Sequence, residues 1–373
     1  MIKGMLKMGM VGGGPGAMIG DIHRLTAQAT GKAKLVCGAF SSDHQKSQQK
    51  GKELGLDASR AYGSVEEMIE GELSLPEKER MDFLAITTPN HLHVAAAKLA
   101  LQSGFHVMCD KPLSINYQEA IDLKQIVDSS NYQFGMTYTY RGYAGVLKIK
   151  ELIESGKIGD IRKIKVDYTQ GWLNELIEND GQKQAKWRTD PKFSGLGGTI
   201  ADIGTHAFNM AEYLVGAKVA ELVADVSILV EGRRIDDDAN VLLRYENGVK
   251  ATLSVGQACA GEQNSFNVKV YGSKGGLHWT NESPKVIAFK SQDSLEEIKI
   301  DEFDVDLTEA ARLLPDGHDI SFLKGFVTLY DRFLDSIQSN SKANMPDIED
   351  GVRGMLFIEK AIESSKNNTY VKL

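Results

Sequence analysis

Four clusters along the chain carry residue types and spacings suited to chemistry. The first is Val11-Gly12-Gly13-Gly14-Pro15-Gly16-Ala17, where Gly12, Gly14 and Ala17 fit the dinucleotide fingerprint G-x-G-x-x-G/A. The first glycine permits a tight turn and the second lets the backbone approach a pyrophosphate. The small third residue lets helix and strand pack closely. The free N–H groups and positive dipole end of the following helix then receive the phosphate. The second and third clusters are Thr87-Thr88-Pro89-Asn90-His91-Leu92-His93 and Cys109-Asp110-Lys111-Pro112. Both follow short apolar runs, at the carboxyl ends of strands where open α/β sheets bind ligands. The fourth is Asp202-Ile203-Gly204-Thr205-His206, whose acid and histidine are four apart and share one helix face.

This set of types suits hydride transfer from a secondary alcohol to a nicotinamide. Such a reaction leaves a proton that a histidine can take, because its ordinary pKa lies near the operating pH. A lysine near the same hydroxyl stabilises the developing alkoxide. Plainer readings stand beside each residue. Lys111 can be a solvated lysine at a turn, His206 a satisfied core histidine, and Asp202 a cap. The H-x-H spacing of His91 and His93 brings a metal to mind, but shaping a loop and starting a helix explains it better. Asn90 is placed to cap that helix. Asp236-Asp237-Asp238 reads as a solvated turn between strands, and no metal is expected. Past the second strand, Gly38 to Asp43 puts no acid at the tip. Ser41 and Ser42 can take either a ribose hydroxyl or a phosphate, and Lys46 is the nearest cation. No arginine is placed for a 2′-phosphate, so the cofactor is NAD or NADP with NAD favoured.

The elements that must hold these groups change character near residue 140. Before it, short apolar runs at Lys7–Val11, Lys34–Phe40, Met81–Thr87, His106–Cys109 and Gln133–Thr137 alternate with helical stretches. The helical candidates are Pro15–Ala29, Gln45–Leu54, His91–Ser103 and Gln118–Ser129. Uniformly apolar strands alternating with helices predict a doubly wound parallel sheet covered on both faces. Beyond it, a helix at Gly145–Ser155 precedes alternating polar and apolar runs near Lys163–Tyr168, Ala239–Tyr245, Ala251–Val255 and Asn267–Tyr271. Glu246-Asn247-Gly248 is a hairpin signal. Further helices are expected at Thr199–Leu214, Ile320–Ile337 and Ile348–Ser364. The predicted class is therefore α/β plus α+β. Residues 1–140 form a dinucleotide-binding Rossmann domain, and residues 141–373 an open, mostly antiparallel sheet covered by helices.

In order, Gly12-Gly13-Gly14-Pro15-Gly16, Thr88-Pro89-Asn90-His91-Leu92-His93, Asp110-Lys111-Pro112 and Asp202-Ile203-Gly204-Thr205-His206 resemble the Gfo/Idh/MocA oxidoreductases. That family includes glucose–fructose oxidoreductase and inositol dehydrogenase. The resemblance covers essentially the whole chain, with Asp110 where the family usually has glutamate. It implies His206 as proton acceptor, Lys111 as its assistant and Asp202 as a group that orients the imidazole or binds a neighbouring hydroxyl. It also implies cofactor contacts from Gly12 to Ala17, from Ser41 and Ser42, from Thr88 to His91, and from Asp110 and Lys111. Gln170-Gly171-Trp172 with Trp187-Arg188-Thr189-Asp190-Pro191 is similar to a branch of sugar and glycoside dehydrogenases.

The stretch Gln170–Gly198 is longer than an ordinary connection. It holds Trp172 and Trp187, two of the three tryptophans, beside Arg188. Indole faces stack on the C–H faces of sugars, so Trp172, Trp187 and Arg188 are candidate substrate contacts. Tyr138 and Tyr140, just past the last strand of the first half, are further candidates for the cleft. The 43 Lys and Arg against 51 Asp and Glu leave a net charge of −8, which argues against nucleic acid and anionic membranes as partners. No apolar stretch is long enough for a membrane span. Three cysteines, widely spaced and odd in number, suit a cytoplasmic protein with reduced thiols. The expected activity is an NAD(P)-dependent dehydrogenase acting on a secondary hydroxyl of a sugar, sugar derivative or glycoside. The alternatives are an inositol or polyol dehydrogenase, a redox-neutral NAD-dependent glycoside-processing enzyme, and a non-catalytic cofactor-sensing regulator. A homodimer or homotetramer is expected from the open sheet face.

Overall fold

The computed structural model describes residues 4–373. Strands β1 (Leu6–Gly12), β2 (Ala33–Ala39), β3 (Phe83–Thr87), β4 (His106–Cys109) and β5 (Phe134–Met136) form an all-parallel sheet in the order β2-β1-β3-β4-β5. Helices α1 (Met18–Ala29), α2 (His44–Glu53), α3 (Val65–Ser74), α4 (His93–Gln102) and α5 (Tyr117–Ser129) alternate with them. The strands are apolar throughout because each has two faces to bury. Met8, Met10, Phe83, Ala85 and Met108 point to one side, and Leu84, Ile86, Val107 and Cys109 to the other. Of these elements α3 is the one the sequence reading misses.

The second half begins with α6 (Ala144–Glu154), β6 (Ile161–Thr169), α7 (Lys183–Arg188), α8 (Pro191–Ser194) and α9 (Thr205–Val215). Strands β7 (Val219–Ser227), β8 (Asp238–Tyr245), β9 (Lys250–Gly256), β10 (Ser265–Gly272), β11 (Gly276–Thr280), β12 (Val286–Lys290) and β13 (Leu295–Lys299) follow. The chain closes with α10 (Thr308–Ala311), α11 (Ile320–Ser339), α12 (Ile348–Asn367) and β14 (Val371–Lys372). The nine-stranded sheet runs β13-β12-β11-β10-β6-β9-β8-β7-β14. Its neighbours are antiparallel except for β6 and β9. Alternate residues of β8 (Ala239, Val241, Leu243 and Tyr245) are buried, while Leu242 and Arg244 face outward. The hairpin between β8 and β9 turns at Gly248, whose φ is +83°. On the covered face, Phe208 of α9 stacks on Phe357 of α12 at 4.4 Å.

Helix α11 lies far along the chain yet covers the first sheet. His23 of α1 shares a 2.8 Å hydrogen bond with Tyr330, and Phe83 meets Phe333 edge to face at 5.5 Å. Four other expectations change. The first helix begins at Met18 rather than Pro15, because Gly12, Gly13 and Gly16 all hold positive φ and keep the turn out of helical conformation. The helix expected over Thr199–Leu214 opens with a π-helical turn, Ile200–Gly204. The long segment Gln170–Gly198 contains α7 and α8, the latter capped by Asp190 with Pro191 in its first turn. Asp236 and Asp237 are buried rather than solvated. The Asp236 carboxylate accepts from the N–H of Gly198 at 2.6 Å and of Ile200 at 2.7 Å. Asp237 accepts from the N–H groups of Leu229 and Val230 and from the buried guanidinium of Arg233.

Candidate active site

The glycine turn runs between the ends of β3 and β2. A Cβ on Gly12 would stand 2.7 Å from the Thr87 carbonyl carbon, and one on Gly14 would stand 2.6 Å from the Phe40 oxygen. Close packing of helix on turn falls to Gly13 and Gly20 rather than to Ala17. A Cβ on Gly20 would enter the van der Waals shell of Gly13 Cα. Ala17 is the N-cap, and its N–H returns to the Gly14 carbonyl at 2.9 Å. Gly16 has open space beside its Cα and reaches the cavity described below. The turn can therefore cradle a pyrophosphate. Ser41 sits at the start of the next loop and accepts from the N–H of Asp43 at 3.1 Å; Ser42 is exposed. Asp43 caps α2 through the N–H groups of Gln45 and Lys46.

Thr88 to His91 forms the adjoining strand-end loop. The Asn90 amide does not cap α4; it donates to the Ser194 carbonyl at 3.4 Å. His91 packs against Phe193 at 5.3 Å, and its Nδ1 and the Thr88 hydroxyl are buried without a partner among the described residues. Both nitrogens of His93 lie 2.8 Å from carbonyl oxygens, of Pro112 and Thr88, which ties this loop to the next one. Two carbonyl acceptors favour the doubly protonated ring. Burial opposes it more strongly, and His93 stays below its ordinary value.

Asp110, Lys111 and Pro112 leave the end of β4. The Asp110 carboxylate accepts from the Thr137 hydroxyl at 2.6 Å and from the Lys111 N–H at 2.9 Å. Lys111 Nζ reaches across to the π-helical turn. It donates to the Asp202 carbonyl at 2.7 Å and to Asp202 Oδ1 at 2.8 Å. Gln257 Nε2 donates to Asp202 Oδ2 at 2.9 Å, and Arg188 Nε stands 3.6 Å from the same oxygen. Burial alone would raise the Asp202 carboxyl. The charges of Lys111 and Arg188 overcome it and hold the group well below the usual carboxylate range.

His206 is 8 % exposed and sits one turn on, in a ring of aromatic edges from Tyr138, Tyr140 and Tyr168. No hydrogen bond joins it to Asp202 among the described residues, because that carboxylate is turned to Lys111 and Gln257. Its Nδ1 is buried and has no partner among the described residues. Burial, with Lys111 nearby, keeps the imidazole well below 6.5 and hence neutral, the form that accepts a proton.

Lys111, Asp202, His206, Trp172, Arg188 and Gly16 all line one cavity of about 690 Å³. Thus loops from both sheets converge on one space. Two other candidate contacts stand off its wall. Tyr138 is 1 % exposed and meets His206 only by its edge, while Trp187 lies beneath the Arg188 guanidinium at 4.3 Å. The Trp187 Nε1 and an Arg188 NH group both donate to Gln184 Oε1, so this tryptophan orients two residues that do reach the wall.

The sequence reading has Tyr140, Gln170 and Trp172 in view but misses the polar chain that joins them along the same wall. Tyr140 donates to Tyr168 at 3.0 Å, and Tyr168 to Asn264 at 2.9 Å. Gln170 joins Asn264 at 2.8 Å and accepts from Trp172 Nε1 and Gln257, each at 3.0 Å. Burial pushes the Tyr140 hydroxyl up to about 12, against the opposing effect of its hydrogen bonds with Tyr168 and Asn264. Tyr168 and Gln170 stand at the end of β6, Gln257 just past β9, Asn264 just before β10, and Tyr140 in the turn after β5. For Tyr168, Gln257 and Asn264 the only signal was polarity at strand ends, which requires the strand order before it means anything. Asp236 was visible as an acid, but not as the group that fixes the start of the π-helical turn.

Residues 6–138 match the family model described as "Oxidoreductase family, NAD-binding Rossmann fold", and residues 146–278 match the "GFO/IDH/MocA C-terminal domain". An oxidoreductase from Sinorhizobium meliloti is 36 % identical, with 99 % of each chain covered and a TM-score of 0.85. An inositol dehydrogenase homolog from Azotobacter vinelandii, solved with NAD+, is 28 % identical. It aligns with 100 % of this chain and 98 % of its own, at a TM-score of 0.90. The uncharacterized oxidoreductase YfiI of Bacillus subtilis (strain 168) is 28 % identical over 99 % of this chain and 97 % of its own.

Proposed function

Because the chain belongs to the Gfo/Idh/MocA oxidoreductase family and carries its NAD-binding Rossmann domain, we propose that it oxidises a secondary hydroxyl of a sugar, sugar derivative or glycoside. The observation that supports this reading most is the meeting of Lys111, Asp202 and His206 on one cavity wall facing the glycine turn. Residues 1–140 hold the cofactor and residues 141–373 supply the substrate side. The Gly12–Ala17 turn, Ser41, Ser42, the Thr88–His91 loop, Asp110 and Lys111 would hold an NAD, which when bound supplies the hydride acceptor.

The chain's own groups do the rest. Neutral His206 takes the hydroxyl proton. Lys111, held by Asp202, places its ammonium against the same oxygen and stabilises the charge that develops there. Asp202 thus positions the lysine rather than the imidazole. The Trp172 ring and the Arg188 guanidinium face the remainder of the substrate. Exclusion of water by the Tyr138, Tyr140 and Tyr168 edges keeps His206 uncharged.

A polyol such as an inositol is the second substrate reading, favoured by the likeness to the Azotobacter vinelandii protein. Three free thiols, Cys37, Cys109 and Cys259, support a reducing cytoplasmic setting. The outer face of the nine-stranded sheet, with Leu242 and Tyr271 exposed, supports a homodimer or homotetramer. The test of the activity is formation of reduced cofactor from a panel of sugars, inositols and glycosides, run with NAD and with NADP. Oxidation of a member of the panel, faster with NAD, is expected. Tight NAD binding with no oxidation of any member would refute the reading.

A further inference from the structure

The cavity wall carries an uneven set of charges. Its only formal cations among the described residues are Lys111 and Arg188, and both are drawn to the Asp202 carboxylate at 2.8 and 3.6 Å. Its two histidines add no charge at neutral pH. Burial holds His206 well below its ordinary value and lowers His318 as well. Against these stand three more carboxylates on the wall. Asp110 is occupied by the Thr137 hydroxyl and a backbone N–H, neither of which neutralises it. Glu262 and Asp316 are exposed and come from two segments that abut. A Cβ on Gly317 would stand 2.7 Å from the side chain of Gln263, so the two acids belong to one rim. Neither forms an ion pair among the described residues. Among the described residues, two cations against four carboxylates leave the wall at a net −2.

From this we infer that the site selects uncharged carbohydrates and rejects phosphorylated and carboxylated ones, with Glu262 and Asp316 as the specificity-determining residues. The inference rests on the dehydrogenase reading above and narrows its substrate. A phosphate dianion or a carboxylate on the sugar would meet like charge, and would have to compete with Asp202 for the two cations on the wall among the described residues. Like-charge juxtaposition in a partly desolvated site is among the strongest means of discriminating against a ligand. The neutral wall groups, Gln170, Gln184, Thr137 and the Trp172 ring, suit hydroxyls and C–H faces instead. Repulsion of this kind acts from the rim, so it weakens with salt.

The experiment compares kcat/KM for myo-inositol, glucose, glucose 6-phosphate and glucuronate at low and high salt, in the native protein and in the double variant Glu262→Gln, Asp316→Asn. The native protein should prefer the neutral member of each glucose pair by at least about 10-fold. Salt and the double variant should each narrow that ratio. Glucose 6-phosphate or glucuronate oxidised as well as glucose would overturn the inference and leave the dehydrogenase reading intact. A ratio unchanged in the double variant would overturn the assignment to these two acids. Absence of oxidation with every compound, while NAD still binds, would overturn both.

Discussion

Replacing Lys111 by methionine should cost stability as well as turnover, and the two losses can be separated. The ammonium lies 2.8 Å from Asp202 Oδ1 and 2.7 Å from the Asp202 carbonyl, with side-chain exposures of 16 % and 21 % for the two residues. Unit charges 4 Å apart attract by roughly 4 kcal/mol at an effective dielectric of about 20. Removing one partner of a fully buried pair costs about 3–5 kcal/mol. Partial exposure lowers both figures. Arg188 and Gln257 also remain as partners for the orphaned carboxylate. Lys111→Met should therefore destabilise by about 2 kcal/mol. In Lys111→Met with Asp202→Asn, the stranded carboxylate is gone, and a coupling of roughly 1–2 kcal/mol should be recovered. Turnover should fall about 100- to 10,000-fold in Lys111→Met and stay lost in the double variant. Urea unfolding of the four proteins measures the coupling, and steady-state oxidation of the identified substrate measures the rest. Additive stability changes, or turnover restored by the second substitution, would refute the pairing of these two residues as the device that places the ammonium.

Other consequences follow from neighbouring packing. Gly20→Ala sets a methyl group against the Gly13 backbone and should weaken NAD binding at least about 10-fold by overpacking. Gly31→Ala, at a positive φ with open space around it, serves as the control, and equal calorimetric affinities in the two would remove the packing argument. Trp187→Ala removes the surface beneath Arg188 and should raise substrate KM about 5- to 30-fold, by roughly 1–2 kcal/mol, with NAD affinity unchanged. A KM equal to that of the native protein would show that Arg188 needs no such support. Burial lowers His23 to about 4, so the unfolded chain binds the extra proton first as pH falls. This stabilisation is present above pH 6.5 and declines below it, by about 3 kcal/mol at pH 4. His23→Leu should flatten the pH dependence of urea unfolding in that range, whereas an unchanged slope would contradict the assignment.

The first sheet was legible because its strands are apolar on both faces and its turns are marked by glycine. Met8 and Leu84 read alike in sequence, and only the structure shows that they serve opposite layers. The second sheet was legible where burial alternates, as in β8. It was hidden in β7 and β13, where lysine, aspartate or glutamate interrupt the apolar runs, and in β11 and β12, which are only 5 residues long; in all four the pairing partner decides the conformation. In the site, Lys111, Asp202 and His206 could be picked out by type and spacing. Their partnership could not. Helical spacing suggested that Asp202 serves His206, but the lysine that competes for it comes from 91 residues away in the chain. Asp236 and Asp237 looked like solvated acids because sequence does not reveal the backbone N–H groups that bury them.

Single-turnover hydride transfer to NAD, followed across pH in the native protein and in His206→Asn, tests the central claim most directly. A buried imidazole held below 6.5 is neutral throughout the neutral range. The native rate should therefore stay level as pH passes down through 6.5, and fall only below the lowered His206 value as the ring takes up a proton. The variant should bind NAD normally, transfer hydride about 100- to 10,000-fold more slowly, and lose that acid limb. A variant that keeps both the native rate and the native acid limb would show that another group accepts the proton.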